Sequence, residues 1–114
     1  MPASADAVLR EAESFIHAQI PITRAMGVRV ETYDAKGGRL VLTAPLEANH
    51  NHLGTAFGGS LSALCTLAGY ALLWLELGDR HSHIVVRDSA IQYKHPVRAK
   101  VIRVECVRPE AAVM

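Results

Sequence analysis

Cysteine is scarce in this 114-residue chain, with Cys65 and Cys106 alone, so neither a disulfide framework nor a zinc spacing can be built. Both sit in apolar or alternating surroundings, where a cysteine reads as a small buried hydrophobe. Charge of one sign is also lacking. Twelve Lys and Arg stand against eleven Asp and Glu, a net of +1, spread without the basic stripe that nucleic acid or an anionic membrane surface would require. No Pro/Ser-rich linker or charge run interrupts the chain, which points to one domain over residues 1–114. The N-terminal residues, with Asp6, Glu11 and Glu13, do not follow the basic-then-apolar order of a signal peptide. Reducing cytoplasm is the expected compartment. What the chain does have is apolar surface. Half of its residues are hydrophobic, more than a domain burying only about 60–70% of its unfolded surface hides easily, so self-association is expected.

Residues 6–20 place Val8, Leu9, Ala12, Phe15, Ile16 and Ile20 at spacings of one, three and four, which predicts an amphipathic helix with Ser4 as cap and an end before Pro21. Residues 27–33 alternate, with Val28, Val30 and Thr32 on one face and Arg29, Glu31 and Tyr33 on the other. Asp34 to Gly38 supplies turn residues, and 39–45 alternates again through Leu40, Leu42 and Ala44. Together they read as a β-hairpin.

Residues 53–75 carry no charge and are apolar nearly all round, so a helix there, expected over 54–77, must be enclosed. A bilayer is one enclosure, since the length reaches the roughly 20 residues of a span, and Gly54 and Gly58 match a helix-packing motif. Paired glycines at its start, no flanking Lys or Arg anchor, and alternating patterns on both sides favour a wrapped sheet instead. Beyond Gly78 the period returns to two. Residues 82–93 predict a central strand with Ile84, Val86, Asp88 and Ala90 on one face, and 99–108 predict a last strand through Ile102, Val104 and Cys106.

The run Asn51-His52-Leu53-Gly54-Thr55-Ala56-Phe57-Gly58-Gly59-Ser60-Leu61 resembles the Asn-x-x-Gly-Thr-x-His-Gly-Gly signature opening the central helix of PaaI-like hotdog thioesterases. Ile91-Gln92-Tyr93 followed by Pro96, and the stretch from Ile22 to Val30, resemble the family's flanking elements. Thr55 to Leu61 with Leu67-Ala-Gly-Tyr70 is similar to the thioesterase domain that some bacteria carry behind a GNAT acetyltransferase domain. The resemblance implies an α+β hotdog fold, an antiparallel sheet curled around the helix, and a homodimer or dimer of dimers with sites between subunits. Its substrate would be an acyl thioester of coenzyme A or acyl carrier protein. Neither a cofactor nor a metal is implied. Hotdog domains usually have five or six strands, whereas four are legible here, which leaves a truncated chain or an open sheet edge.

Thioester hydrolysis builds negative charge on the carbonyl oxygen, and backbone N–H groups at a helix start can stabilise it. Gly58 and Gly59 stand there; they serve that role or simply permit close helix-to-sheet contact. Asn51 matches the family asparagine that orients water or thioester, with a loop or cap role as the alternative. Thr55, His52 and Phe57 belong to the same substrate-binding stretch. Two departures follow from the comparison. Phe57 replaces the family histidine, losing its hydrogen-bonding capacity, and Thr66 stands where the helix acid belongs, a neutral hydroxyl that is no general base unaided. Asp88 is the one carboxylate in the inward pattern of its strand, so it substitutes as base or pairs with Arg87. Glu47, His50 and His52 form an ordinary polar loop. The missing helix acid disfavours dehydration, and Ser60 lacks the Gly-x-Ser-x-Gly elbow of a serine hydrolase. What remains is a thioesterase with atypical catalytic residues, or a non-catalytic module that binds the acyl thioester.

Overall fold

In a computed structural model, which describes residues 5–78 and 84–108, the order is α1 (Ala5–Gln19), α2 (Ile22–Met26), β1 (Arg29–Asp34), β2 (Arg39–Pro45), a 3-10 turn (Leu46–Ala48), α3 (Gly58–Leu77) and β3 (Val101–Val107). The strands form one antiparallel sheet in the order β1-β2-β3. Against it lie α1 and the long α3, an α+β hotdog arrangement.

The spacing of Leu9, Ala12 and Ile16 puts one face of α1 against the core. Its end is shaped by Pro21, which starts α2, and by Thr23, whose buried hydroxyl donates to the Ile20 carbonyl at 2.7 Å and the Ile16 carbonyl at 3.3 Å. The same carbonyls accept the Ile20 and Thr23 amides at 2.9 Å each, so the hydroxyl adds a second donor to each at the helix C-terminus. The expected lead into the first strand is therefore partly helical. Gly27 closes it in the left-handed conformation, φ +69°, and β1 follows. Ser4 lies outside the described residues.

The hairpin forms with one departure. Pairing steps from Val30↔Leu42 to Thr32↔Val41, so Glu31 is an extra residue in β1. Such a bulge switches the faces of the residues beyond it. Val28 and Val30 are buried as expected, but Thr32 turns to solvent and Tyr33 packs on the core. Burial and the neighbouring Glu76 push the Tyr33 hydroxyl above its usual value. Leu40, Leu42 and Ala44 of β2 and Ile102 of β3 complete the inner face, each buried.

The outer edge of β1 is closed by α1 side chains. Glu13 accepts the Val30 amide at 3.0 Å, Arg10 donates to the Val30 carbonyl at 2.5 Å, and His17 donates to the Val28 carbonyl at 2.7 Å. Groups that would invite another strand are thereby used. Among the described residues no strand pairs with the other edge of β3.

Two expectations about the second half are corrected. The central helix begins at Gly58 rather than residue 54, because Gly54 adopts φ +79° in a turn that precedes it. The strand expected over 82–93 is absent among the described residues: 84–93 is extended, unpaired with the sheet and exposed apart from the half-buried Ile84. It runs beside α3, where the Val86 amide donates to the Tyr70 hydroxyl at 3.1 Å and Tyr93 donates to the Gly58 carbonyl at 3.1 Å. Nor is α3 enclosed all round. It meets the length and apolarity of a membrane span, yet Leu64, Leu67, Ala68, Ala71 and Leu72 are buried in the core it shares with the sheet. Phe15 of α1 meets Trp74 edge-on at 5.1 Å. The opposite face, with exposed Cys65 and Leu73, carries the groove described next. Cys65 is thus no buried hydrophobe, while Cys106 is half-buried.

Candidate active site

The loop before α3 is tied to three parts of the fold by Asn49, only 3% exposed, whose Nδ2 donates to the Met26 and Pro45 carbonyls at 2.8 Å each. Its carbonyl accepts the Phe57 amide at 2.8 Å, and the Ala56 amide donates to the Val97 carbonyl at 2.8 Å. The ends of α2 and β2 and the 94–100 segment are thus fixed relative to the start of α3. Sequence reasoning passed over Asn49; its signal was a second asparagine two residues before the family position.

Asn51 organises the next turn. Its Oδ1 accepts the amides of Leu53 at 2.9 Å and Thr55 at 3.1 Å, and its Nδ2 donates to the Thr55 hydroxyl at 2.8 Å. The main chain closes the same ring, Asn51 N–H to Thr55 carbonyl at 2.7 Å and Gly54 N–H to Asn51 carbonyl at 3.1 Å. Asn51 and the buried Thr55 thereby lock one loop, whereas His52 and Leu53 project from its tip, exposed.

The chain then turns into α3 through Phe57, which is extended and, among the described residues, gives and receives no side-chain cap. A helix start leaves its first N–H groups without intrahelical acceptors, and here those groups belong to Gly58, Gly59 and Ser60. The Phe57 ring is 54% exposed and lies over Gly59, close enough that a Cβ there would collide with it. Glycine at 59 makes room for that ring against the first turn.

Two neighbouring cavities follow the exposed side of α3. The first, about 310 Å³, is lined by Asn51, Thr55, Gly58, Tyr93, Lys94 and His95 among others. The second is a groove of about 400 Å³ between α3 and 84–91, and its walls include Ser62, Cys65, Thr66, Tyr70 and Asp88. The predicted residues therefore divide: Asn51, Thr55 and Gly58 share the first cavity, and Thr66 and Asp88 share the second. Thr66 lies seven residues beyond Gly59, about 10 Å along the axis at ~1.5 Å per residue. His95, Lys94 and Tyr93 were not singled out for the site, because their approach to α3 depends on how 84–100 packs.

Asp88 differs from expectation. Outside the sheet it is not sandwiched between layers; its carboxylate is 87% exposed and pairs with Arg87 at 3.4 Å. Cys65, beside Thr66, is a poor nucleophile: although the residue is exposed, partial desolvation by its surroundings pushes its thiol above the ordinary value. Burial and the nearby Cys65 raise Cys106 as well. No cluster of three or more metal-binding side chains exists among the described residues. What the arrangement offers is a helix N-terminus able to receive a developing oxyanion, beside hydroxyls, an imidazole and an exposed carboxylate.

Residues 9–114 match the model of the family described as "Putative thioesterase (yiiD_Cterm)". The chain belongs to that family. Two solved structures are similar to it. A putative thioesterase from Shewanella oneidensis is 30% identical over 93% of this chain and 73% of its own, with a TM-score of 0.82. A protein of unknown function from Chlorobaculum tepidum is 35% identical over 95% of this chain and 66% of its own, with a TM-score of 0.76. Both are longer than this chain, which spans about two thirds to three quarters of their lengths.

Proposed function

We propose that this thioesterase-family member hydrolyses an acyl thioester, carried by coenzyme A or by acyl carrier protein, at the start of α3. The observation that carries the reading is the uncapped start of α3, where Gly58 borders the cavity that Asn51 and Thr55 help to line. The thioester oxygen accepts hydrogen bonds from those amides, where the helix dipole adds its partial positive charge. Water adds to the carbonyl carbon and gives up a proton, the tetrahedral intermediate collapses, and the carbon–sulfur bond breaks. The acyl group leaves as carboxylate and the carrier as thiol. Thr66 and the exposed Asp88 line the neighbouring groove, about 10 Å along the helix, so within one subunit neither reaches a carbonyl held at the start of α3; those of a second copy would have to orient the water and take its proton. Such a base, solvated and paired with Arg87, makes a slow enzyme. An oxyanion site is worth about 10²–10³ in rate, and the general-base contribution of about 10²–10⁴ is mostly forgone.

The neutral Thr66 supports one further reading, a module that binds acyl thioesters without cleaving them. Hydrolysis and binding measured in parallel, on acyl-CoAs and acyl carrier proteins, separate the two. Slow turnover with clear binding is expected. Binding without turnover establishes the second reading, and neither activity removes both.

We also propose that the active form is a homodimer or dimer of dimers in the cytoplasm. The α1 side chains close the β1 edge, so pairing with a second copy is left to the other side of the molecule. There 84–93 is extended and exposes Val85, Val86, Ile91 and Tyr93. Light scattering at micromolar concentration tests this, and a strict monomer refutes it.

A further inference from the structure

The free edge of β3 is complementary to itself. Just before the strand the Lys100 carbonyl accepts the Leu46 amide at 2.8 Å, and just after it the Arg108 amide donates to the Gly38 carbonyl at 2.7 Å. An antiparallel ladder alternates the residues that bond to a given neighbour. Ile102, Val104 and Cys106 therefore direct their main-chain groups to β2, opposite Ala44, Leu42 and Leu40. The N–H and C=O groups of Val101, Arg103, Glu105 and Val107 point the other way, where no strand meets them among the described residues. Counted outward from Val104, Arg103 and Glu105 stand one step away, the apolar Ile102 and Cys106 two steps, and Val101 and Val107 three.

We propose that β3 pairs antiparallel with β3 of a second copy about a two-fold axis at Val104, joining the two sheets into one. Arg103 then stands opposite Glu105 of the second copy, twice over, and Val101 opposite Val107. These are the hydrogen-bonded pairs of the new ladder, so each free N–H and C=O of the edge gains a partner, while Val104 meets its counterpart at a non-hydrogen-bonded centre. Moving the axis to residue 103 or 105 would instead oppose arginine to arginine or glutamate to glutamate, which is unfavourable. Within one copy Arg103 pairs with Glu31 at 3.2 Å and Glu105 with Arg39 at 3.1 Å. The two side chains remain 62% and 46% exposed, and a guanidinium or a carboxylate has sites left for a further partner. Val101 and Val107, 53% and 47% exposed, pack across the seam. This isologous contact is separate from the one proposed along 84–93, and the two together build a dimer of dimers.

The experiment makes Arg103→Glu and Glu105→Arg singly and follows the native protein, each variant and their equimolar mixture by sedimentation velocity over a concentration series. Either variant alone opposes like charges at both pairs, so its association at this seam should weaken by about tenfold or more. The observed mass should halve, from tetramer to dimer or from dimer to monomer. In the mixture a strand with two glutamates faces a strand with two arginines, and the native mass should return. Both side chains face outward, so the variants should fold, which melting curves verify. Mass lost in each variant and regained on mixing supports the seam and its register. Loss that mixing does not restore overturns them. A native dimer whose mass neither variant changes overturns the seam too and leaves assembly to 84–93. A native monomer whose Arg103 and Glu105 amides resist hydrogen exchange gives this edge to another segment of the same chain, and the proposal falls.

Discussion

Replacing Asn51 tests whether its side chain holds the loop or touches substrate. Asn51→Ala removes the acceptor of the Leu53 and Thr55 amides and the donor to the Thr55 hydroxyl, three hydrogen bonds in all. At a net ~0.5–1.5 kcal/mol each, reduced because the loop is partly hydrated, the loss is about 2 kcal/mol. Unfolding entropy scales as ~2.1 cal/mol/K per residue, so over this chain that loss lowers Tm by about 8 °C. Asn51→Asp keeps the Oδ1 acceptor for both amides, and the Thr55 hydroxyl can turn to donate to the other carboxylate oxygen. Its Tm should stay within about 2 °C of the native protein, and most of the activity should remain. The assay pairs thermal melts, at one fixed protein concentration because association shifts Tm, with acyl-CoA hydrolysis. An alanine variant that melts like the native protein yet is inactive would refute the loop assignment and place the amide against the substrate. So would an aspartate variant as damaged as the alanine one.

Thr66→Asp should raise turnover by about tenfold or more, within the range of general-base help, if the position faces the thioester; steady-state kinetics decide it, and unchanged kcat removes Thr66 from the site. Leu64→Ala empties a fully buried position on the core face of α3 and should cost about 2–5 kcal/mol, read as a large fall in Tm. Burial raises the Glu13 carboxyl, but its hydrogen bonds to Arg29 and the Val30 amide and the charges of Arg10 and Arg29 outweigh this and hold it below the usual range. Its stabilising contribution is therefore complete above the unfolded value of ~4.3 and lost as pH falls through the folded one. Glu13→Gln should flatten that acid limb in melts between pH 3 and pH 6, and an unchanged slope there would exclude this cause.

Local rules carried the first half of the fold, because each of its elements is decided by neighbours in sequence. The α1 stripe, the Asp34–Gly38 turn and the alternation of Leu40, Leu42 and Ala44 all appear as expected. The one slip there, Thr32 outward and Tyr33 inward, comes from the bulge at Glu31, and no glycine or proline marks it. The short α2 was hidden for a related reason. Its stop is the left-handed Gly27, a glycine that serves equally well as the opening of a strand.

The same distinction explains the site. Gly58, Gly59 and Asn51 were legible because the helix-opening signature is contiguous, and the loop that Asn51 closes spans five residues. Thr66 and Asp88 meet in one groove, but Asp88 arrives on a segment whose alternation satisfies two environments equally. A period of two says that successive side chains face opposite ways; it does not say that both faces are covered by protein. In residues 84–93 Ile84, Val85, Val86 and Ile91 all line the groove beside α3, yet only Ile84 is half-buried. Burial that would confine Asp88 and hold it as a base must therefore come from outside this chain's own sheet. In the proposed dimer a second copy laid along 84–93 would supply it, which would tie catalytic competence to assembly: dilution that separates the subunits should then lower specific activity, not merely molecular mass. A specific activity independent of concentration across the dissociation range, followed by light scattering, would break that link and leave Asp88 a surface partner of Arg87.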